Sequence, residues 1–582
     1  MLPRTAPAAC RSPRGRRPTR RTRCPAVCPG EPPGYTFPVS SRDRILLLAA
    51  LSGGVLLVGV ELLITAVALP AIVADLAGWT ELRRASWVVN GYALTFIATM
   101  PLAGRAADRY GLPRLFVGAL VIFAIGSLLS GAAQSLDQLI AARAIQGIGA
   151  GAVVPLATAG ASHLFEGQAR ARALGVVGAF TFLGMAIGPF AGSIVLERFD
   201  FGPAFAASGL ADSALAPFMV PAWRWIFYLG APLALLALIY TWAAAPAWPR
   251  SSERGGLDVF GASLSTAALA TGLLALTRLG DEGAEADPLL GPLPLAAATL
   301  VLGVLAVARS LRASAPFLDL RMLRNRTFAA AVVLSLLTGY ALATAIIGAA
   351  VFVDRVRYAG PAEQRIVLGA LAVAMAMGAL GAGFAMRLFS AMLLSLVGLA
   401  LSIGGLVLLA GVGPETDLGI LVAGLAAFGL GFGSTVTPRS TVAVEALGRR
   451  AFGVASAGVT VARMAGMAVG LAVLTGFGSR RIESLSVVLV DPVARDAVLP
   501  PALRGRPLEN SLVVEALETW ASQQAAAILS GLFIVAAAVL VIAILPTLLM
   551  RDPSRGQPDE RIIPTDERSI PDDELHEPAL AL

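Results

Sequence analysis

Apolar blocks of about twenty residues, separated by short polar connections, recur along almost the whole chain. A helix of that length crosses the ~30 Å hydrocarbon layer of a bilayer. The blocks fall near residues 44–73, 86–105, 114–133, 138–160, 172–195, 223–245, 258–278 and 291–312, and again near 328–353, 366–387, 391–411, 418–438, 450–476 and 525–549. They predict an all-α integral membrane fold of fourteen spans. Composition agrees, with 14% charged residues in this chain where soluble domains carry about 25%.

The charge balance bounds the chemistry. The formal charge is +7 over 582 residues, but the basic residues are scattered through short loops and an N-terminal arm, with no folded basic domain to hold nucleic acid. Every basic residue is Arg and no Lys occurs, so the phosphate-binding loop that needs a Lys is absent and ATP hydrolysis is not expected. Nothing points to an enzyme, a metal site or a cofactor. The three cysteines, Cys10, Cys24 and Cys28, all lie in the arm and leave the body without a disulfide framework.

Arginine also sets the expected topology. Even-numbered loops carry Arg105, Arg109 and Arg114, Arg170 and Arg172, Arg250 and Arg254, Arg321, Arg324 and Arg326, Arg387, and then Arg439, Arg449 and Arg450. By the positive-inside rule these are cytosolic, with both termini inside. Odd loops are acidic or mixed, as with Asp281, Glu282, Glu285 and Asp287. The domain plan is a disordered basic arm (1–43), a six-helix half (44–245), a linker segment with two extra helices (246–327), a second six-helix half (328–549) with a long outer loop (477–524), and a disordered acidic tail (550–582). The outer loops 196–222 and 477–524 carry no recognisable site.

Ionisable residues inside apolar spans are expensive and usually face a partner or a cavity. Glu61 lies deep in the first block. Burial favours its neutral form and a nearby cation its ionised form, so such a carboxyl can take up and release a proton as access alternates; the structural alternative is a hydrogen bond to a neighbouring helix. Arg143, in Arg143-Ala144-Ile145-Gln146-Gly147-Ile148-Gly149, is permanently charged and either tunes Glu61 or snorkels to the outer interface. Gly104 to Arg114, with Asp108, Arg109 and Gly111, reads as a tight turn whose acid among bases can bridge helix ends, or as a solvated turn. Gly184, Gly188, Pro189 and Gly192 form a small-residue, proline-kinked seam suited to close helix contact. Weaker candidates for a substrate or second proton site are Trp87, Tyr92, Gln146, Asp354 and Arg463. Asp354 also reads as an interfacial charge, and the two aromatics as belt residues. His163 falls in a loop and His576 in the tail, neither placed as a buried proton relay.

Together these segments resemble the major facilitator superfamily, in particular its fourteen-helix drug:proton antiporter branch, from residue 44 to 549. Glu61 to Pro70 resembles the branch's first-helix motif with Glu for the usual Asp and Ala66 for the usual Asn. Gly104 to Arg114 is similar to the superfamily's loop motif, Arg143 to Gly149 to its fourth-helix motif, and Gly184 to Gly192 to the antiporter motif, with Ser193 where a last Gly is usual. Trp223-Arg224-Trp225-Ile226-Phe227, Arg324-Asn325-Arg326-Thr327-Phe328 and Arg463-Met464-Ala465-Gly466 are further branch features. The resemblance implies the major facilitator fold, two six-helix halves plus two additional central helices, rocking around a central cavity. It also implies a monomeric, multi-pass protein of the cytoplasmic membrane that exports small lipophilic or cationic compounds, including drugs, in exchange for protons. The proton-motive force stands in place of a cofactor. Glu61 and Arg143 would couple the proton, and Asp108 and the span-five seam would gate the switch. The alternatives are export of an endogenous metabolite or lipid precursor, and a non-transporting membrane sensor with the same fold.

Overall fold

The structure is a computed structural model that describes residues 41–76, 82–85, 87–209, 212–244, 258–278, 288–313, 320–359, 361–448, 452–473, 488, 491–507 and 510–550. The arm and its cysteines, the tail with His576, the acidic cluster at 281–287, and Arg250, Arg254, Arg449 and Arg450 lie outside the described residues, as do the side chains of Arg105, Asp108 and Arg109.

Fourteen helices of twenty residues or more occur among the described residues. They are α1 (Ser41–Leu76), α2 (Trp87–Tyr110), α3 (Leu112–Ala132), α4 (Leu136–Leu164), α5 (Gly167–Arg198), α6 (Ala222–Ala244), α7 (Val259–Arg278), α8 (Pro292–Arg312), α9 (Arg326–Val351), α10 (Pro361–Ala385), α11 (Ala391–Ala410), α12 (Leu418–Leu447), α13 (Phe452–Val473) and α14 (Ser511–Ile542). Twelve of the described helices are long and apolar enough to cross a membrane by length and composition; α2 and α7 are not among them. Lipid offers no partner for backbone polar groups, so a spanning segment must satisfy them internally, and the helices run on through Pro101, Pro155, Pro189, Pro232 and Pro438.

The helix ends are written locally. Ser135, Asn325, Ser390, Asp417 and Asn510 each accept a hydrogen bond from a first-turn N–H, the usual work of these residue types at an N-cap. Asn325 also donates to the Ala446 carbonyl in the last turn of α12. Buried Arg224 donates to the carbonyls of Gly131 and Ala133 at the carboxyl end of α3, where a cation is favoured by the helix dipole. Asp75 accepts from both Arg224 and Trp223. These contacts give physical roles to two motifs that sequence could only match.

Helices α1–α6 and α9–α14 form two groups, each with its own apolar core, and Phe182, Met185 and Ala186 of α5 join the second core. Leu47, Phe116, Phe123 and Val153 centre the first, and Phe352, Phe428, Phe432 and Phe533 the second. Helix α7 packs on α2 and α13 and therefore bridges the groups. Helix α8 leans on α7 and buries only 11% of its apolar window, which leaves it a lipid-facing strut.

Three expectations need correction. Residues 104–110 continue α2, so the reversal into α3 is Gly111 alone, at a φ of 87° that suits glycine because it carries no Cβ. Helices α4 and α12 run further than hydropathy predicts, so His163 lies in the last turn of α4 against the Phe452 ring, and Arg439 is a buried residue of α12 instead of a loop cation. Helix α14 begins at Ser511, which shortens the outer connection; its described part holds the short helix Pro492–Val498. The other connection, 196–222, holds the short helices Gly202–Ala207 and Ala216–Met219.

Candidate functional site

Glu61 and Arg143 meet inside the first helix group. Their residues are 2% and 1% exposed, and an Arg143 guanidinium nitrogen lies 2.5 Å from Glu61 Oε1. The shallow snorkelling alternative for Arg143 does not hold, because α4 turns this face to its neighbours instead of the outer interface. The same Arg143 Nη1 donates to Gln146 Oε1 at 2.6 Å, its Nε donates to the Val88 carbonyl at 3.3 Å, and the guanidinium stacks 4.1 Å from the centre of the Tyr92 ring. Thr65 donates to Glu61 at 3.4 Å, one turn along α1. Gln146 donates to Ser127 of α3, which donates on to the Phe227 carbonyl of α6. Five helices thus hold one ion pair.

A charge pair out of water persists only when geometry and further hydrogen bonds offset its desolvation. Here the polar shell supplies them. The glycine seam supplies the packing, since a Cβ at Gly184 would meet the Leu56 carbonyl oxygen at 2.2 Å and one at Gly188 the Val60 carbonyl oxygen at 2.6 Å. Gly192 faces Ile64, and Pro189 lies within α5 beside this ridge. The seam therefore rests on the stretch of α1 that carries Glu61, a juxtaposition that no sequence period reveals.

The other predicted residues scatter. Gly104 packs against Gly453 of α13, where an added Cβ would meet a carbonyl oxygen at 2.5 Å, so it joins the two groups. Arg114 is exposed in the first turn of α3. Trp87 receives Arg278 of α7 at 6.0 Å from its ring centre. Asp354, in the π-turn after α9, pairs with Arg355 at 3.0 Å, both side chains more than half exposed. We expect Asp354→Asn to leave transport within about twofold of wild type, as for most surface charges, measured in reconstituted vesicles; a larger loss would return Asp354 to the site.

Arg463 lies elsewhere, in a cavity of about 40 Å³ where α4 and α5 face α12 and α13. Arg439 shares that cavity. Neither Glu61 nor Arg143 lines it, so this conformation seals the ion pair away from the space between the groups. The groups touch at both ends. At the end carrying Gly111, Arg170 lies 3.5 Å from Glu445 and over the Phe452 ring, and Ser456 donates to the Pro155 carbonyl. At the end carrying Ser135, Arg365 of α10 donates to Ser193 at 2.5 Å and lies 3.7 Å from Glu197.

Sequence reasoning missed Arg365, Ser193, Glu445 and Arg439 as candidate positions. Ser193 stood out as a departure from Gly, which was the available signal. We expect Arg365→Ala to favour opening at the Ser135 end by about 1 kcal/mol, roughly fivefold in population, given a part-buried, charge-assisted hydrogen bond. Spin labels at residues 198 and 362, in a variant lacking Cys10, Cys24 and Cys28, would report longer distances; an unchanged distribution would dismiss the latch.

Comparison with known proteins agrees with this architecture. The sequence model of the Major Facilitator Superfamily matches residues 51–471. The triacylglyceride transporter of Mycolicibacterium smegmatis is 30% identical over 480 residues, 80% of this chain and 82% of that protein. Its counterpart in Mycolicibacterium hassiacum is 32% identical over 432 residues, 72% of this chain and 76% of that one. Among solved structures, a bacterial homologue of the human lysosomal transporter Spinster, inward-facing and unoccupied, is similar at a TM-score of 0.56, covering 88% of this chain and all of that one at 20% identity. That last likeness is one of fold.

Proposed function

This chain belongs to the major facilitator superfamily of membrane transporters, and from that premise we propose that it exports an endogenous acyl lipid from the cytoplasmic membrane in exchange for protons. The observation that carries the lipid is the likeness, over most of the chain, to relatives named triacylglyceride transporters. The sequence expectation of multidrug efflux therefore yields to its alternative, an endogenous lipid or lipid precursor. The buried Glu61–Arg143 pair supports proton coupling, because neutralising the carboxyl removes the partner that holds Arg143 in place and so links protonation to helix position.

In this reading the end carrying Gly111 faces the cytosol, with both termini inside, in accord with the arginines that cluster there. The Arg170–Glu445 contact is the inner gate and the Arg365–Ser193 contact the outer one, opened in turn as the halves rock.

Proteoliposomes with an imposed pH gradient test this directly, using pyrene-labelled acyl lipids, both triacylglyceride and phosphatidate, beside ethidium. We expect movement of at least one lipid several-fold above protein-free liposomes, with ethidium at background. Ethidium accumulation without lipid movement would restore the drug-export reading.

A further inference from the structure

Among the described residues, the cavity between the halves is lined by two arginines and no acid. Arg439 is 1% exposed and Arg463 8% exposed, and both line the cavity. Arg439 donates one bond, to Thr338 at 2.5 Å, while Nε of both guanidiniums is buried without a partner among the described residues. No salt bridge to either occurs among the described residues. This departs from Arg143, Arg170 and Arg224, each of which is paired with a carboxylate. Buried like charges without a counter-charge are costly, and each idle donor adds to that cost. Such an arrangement persists in a protein when an anion that visits the site provides the compensation.

The walls tell what else that anion carries. Thr158, Ser440 and Thr460 add hydroxyls to the cavity, but Leu174, Val177 and Phe182 make its remaining lining apolar. The planar guanidinium suits a two-oxygen head, a carboxylate or a phosphate, and the apolar walls suit a hydrocarbon chain. A quaternary ammonium compound or any other cation meets repulsion from both arginines. At about 40 Å³ the space holds a few waters, so the head can enter only when α4 and α5 part from α12 and α13, as they do on each transport cycle.

We propose that Arg439 and Arg463 form the recognition site for an anionic head group, so that the cargo of this chain is an acyl lipid bearing a carboxylate or a phosphate. The inference rests on the lipid-transport reading and sharpens it, since a triacylglyceride carries no charge. The two possible heads share one chemistry, two oxygens bearing a negative charge, and a fatty acid is distinguished from a phospholipid by comparing oleate with dioleoylphosphatidate.

Equilibrium binding of tritiated oleate, dioleoylphosphatidate and dioleoylglycerol to the full-length protein in an uncharged maltoside detergent tests the site. Wild type should bind at least one of the two anions about tenfold or more tightly than the neutral glyceride, and Arg463→Gln should erase most of that preference, the loss expected for a charge-assisted hydrogen bond in an apolar setting. Arg463→Lys, which keeps the charge and loses the fork, should retain an intermediate preference. Dioleoylglycerol binding to wild type as tightly as both anions would overturn the proposal, and that arm needs no variant to fold. An unchanged preference in Arg463→Gln with a wild-type melting curve would overturn it as well. Should the lipids bind with this preference yet never move in vesicles, transport fails while the anion site stands.

Discussion

Glu61→Gln is expected to reduce lipid movement driven by a pH gradient at least a hundredfold, while any downhill exchange that remains becomes indifferent to the gradient. Gln keeps the shape and the hydrogen-bonding capacity but cannot take up a proton. It also strands Arg143, whose other partners, the Gln146 side chain, the Val88 carbonyl and the Tyr92 ring, carry no charge. Removing one member of a buried pair costs about 3–5 kcal/mol, whereas replacing both with apolar residues of similar volume is often neutral. The double variant Glu61→Leu/Arg143→Met should therefore recover much of the melting temperature lost by Glu61→Gln and none of the transport. That separation distinguishes a coupling group from a structural one. Gradient-driven transport by Glu61→Gln at the wild-type rate would remove this carboxyl from the mechanism.

Gly184→Leu should be a severely damaging packing change at the α1–α5 seam. A Cβ alone at this position falls 2.2 Å from the Leu56 carbonyl oxygen and 2.9 Å from the Val60 nitrogen. These are backbone atoms of α1, which cannot swing aside as a flexible side chain can. Overpacking typically costs 1–3 kcal/mol and occasionally more. Here the rigid obstacle puts Gly184→Leu at about 3 kcal/mol or above, enough to deplete folded protein from membranes. Gly118→Leu is the matched control, because a Cβ there meets nothing within 4 Å and Leu is the better helix former. Detergent-stable yield and melting temperature of the two variants decide the matter, and equal behaviour would mean that the α1–α5 seam yields easily.

The second prediction explains part of what sequence could read. The fold was legible because lipid leaves a chain few options, and apolar blocks of spanning length declare themselves. Glu61 and Arg143 were each legible as charges in apolar surroundings. Their pairing across 82 residues was not, because helices apolar on every side give no moment from which to deduce which face looks where. The same blindness hid the seam's target on α1. Arg439 was misread for a different reason, since the apolar block ends near residue 438 while the helix runs on to Leu447. Contacts such as Arg365–Ser193 join residues 172 apart and emerge only when both halves are assembled.

The smallness of the central cavity has a practical consequence for chemistry aimed at this protein. A compound of drug size has no room in the closed form, so an inhibitor that binds tightly must do so by capturing one of the opened forms and withdrawing it from circulation. Its apparent affinity then depends on how often the molecule opens, and variants that loosen either gate should become more sensitive to it, a signature that a simple plug in a permanent pore would not leave.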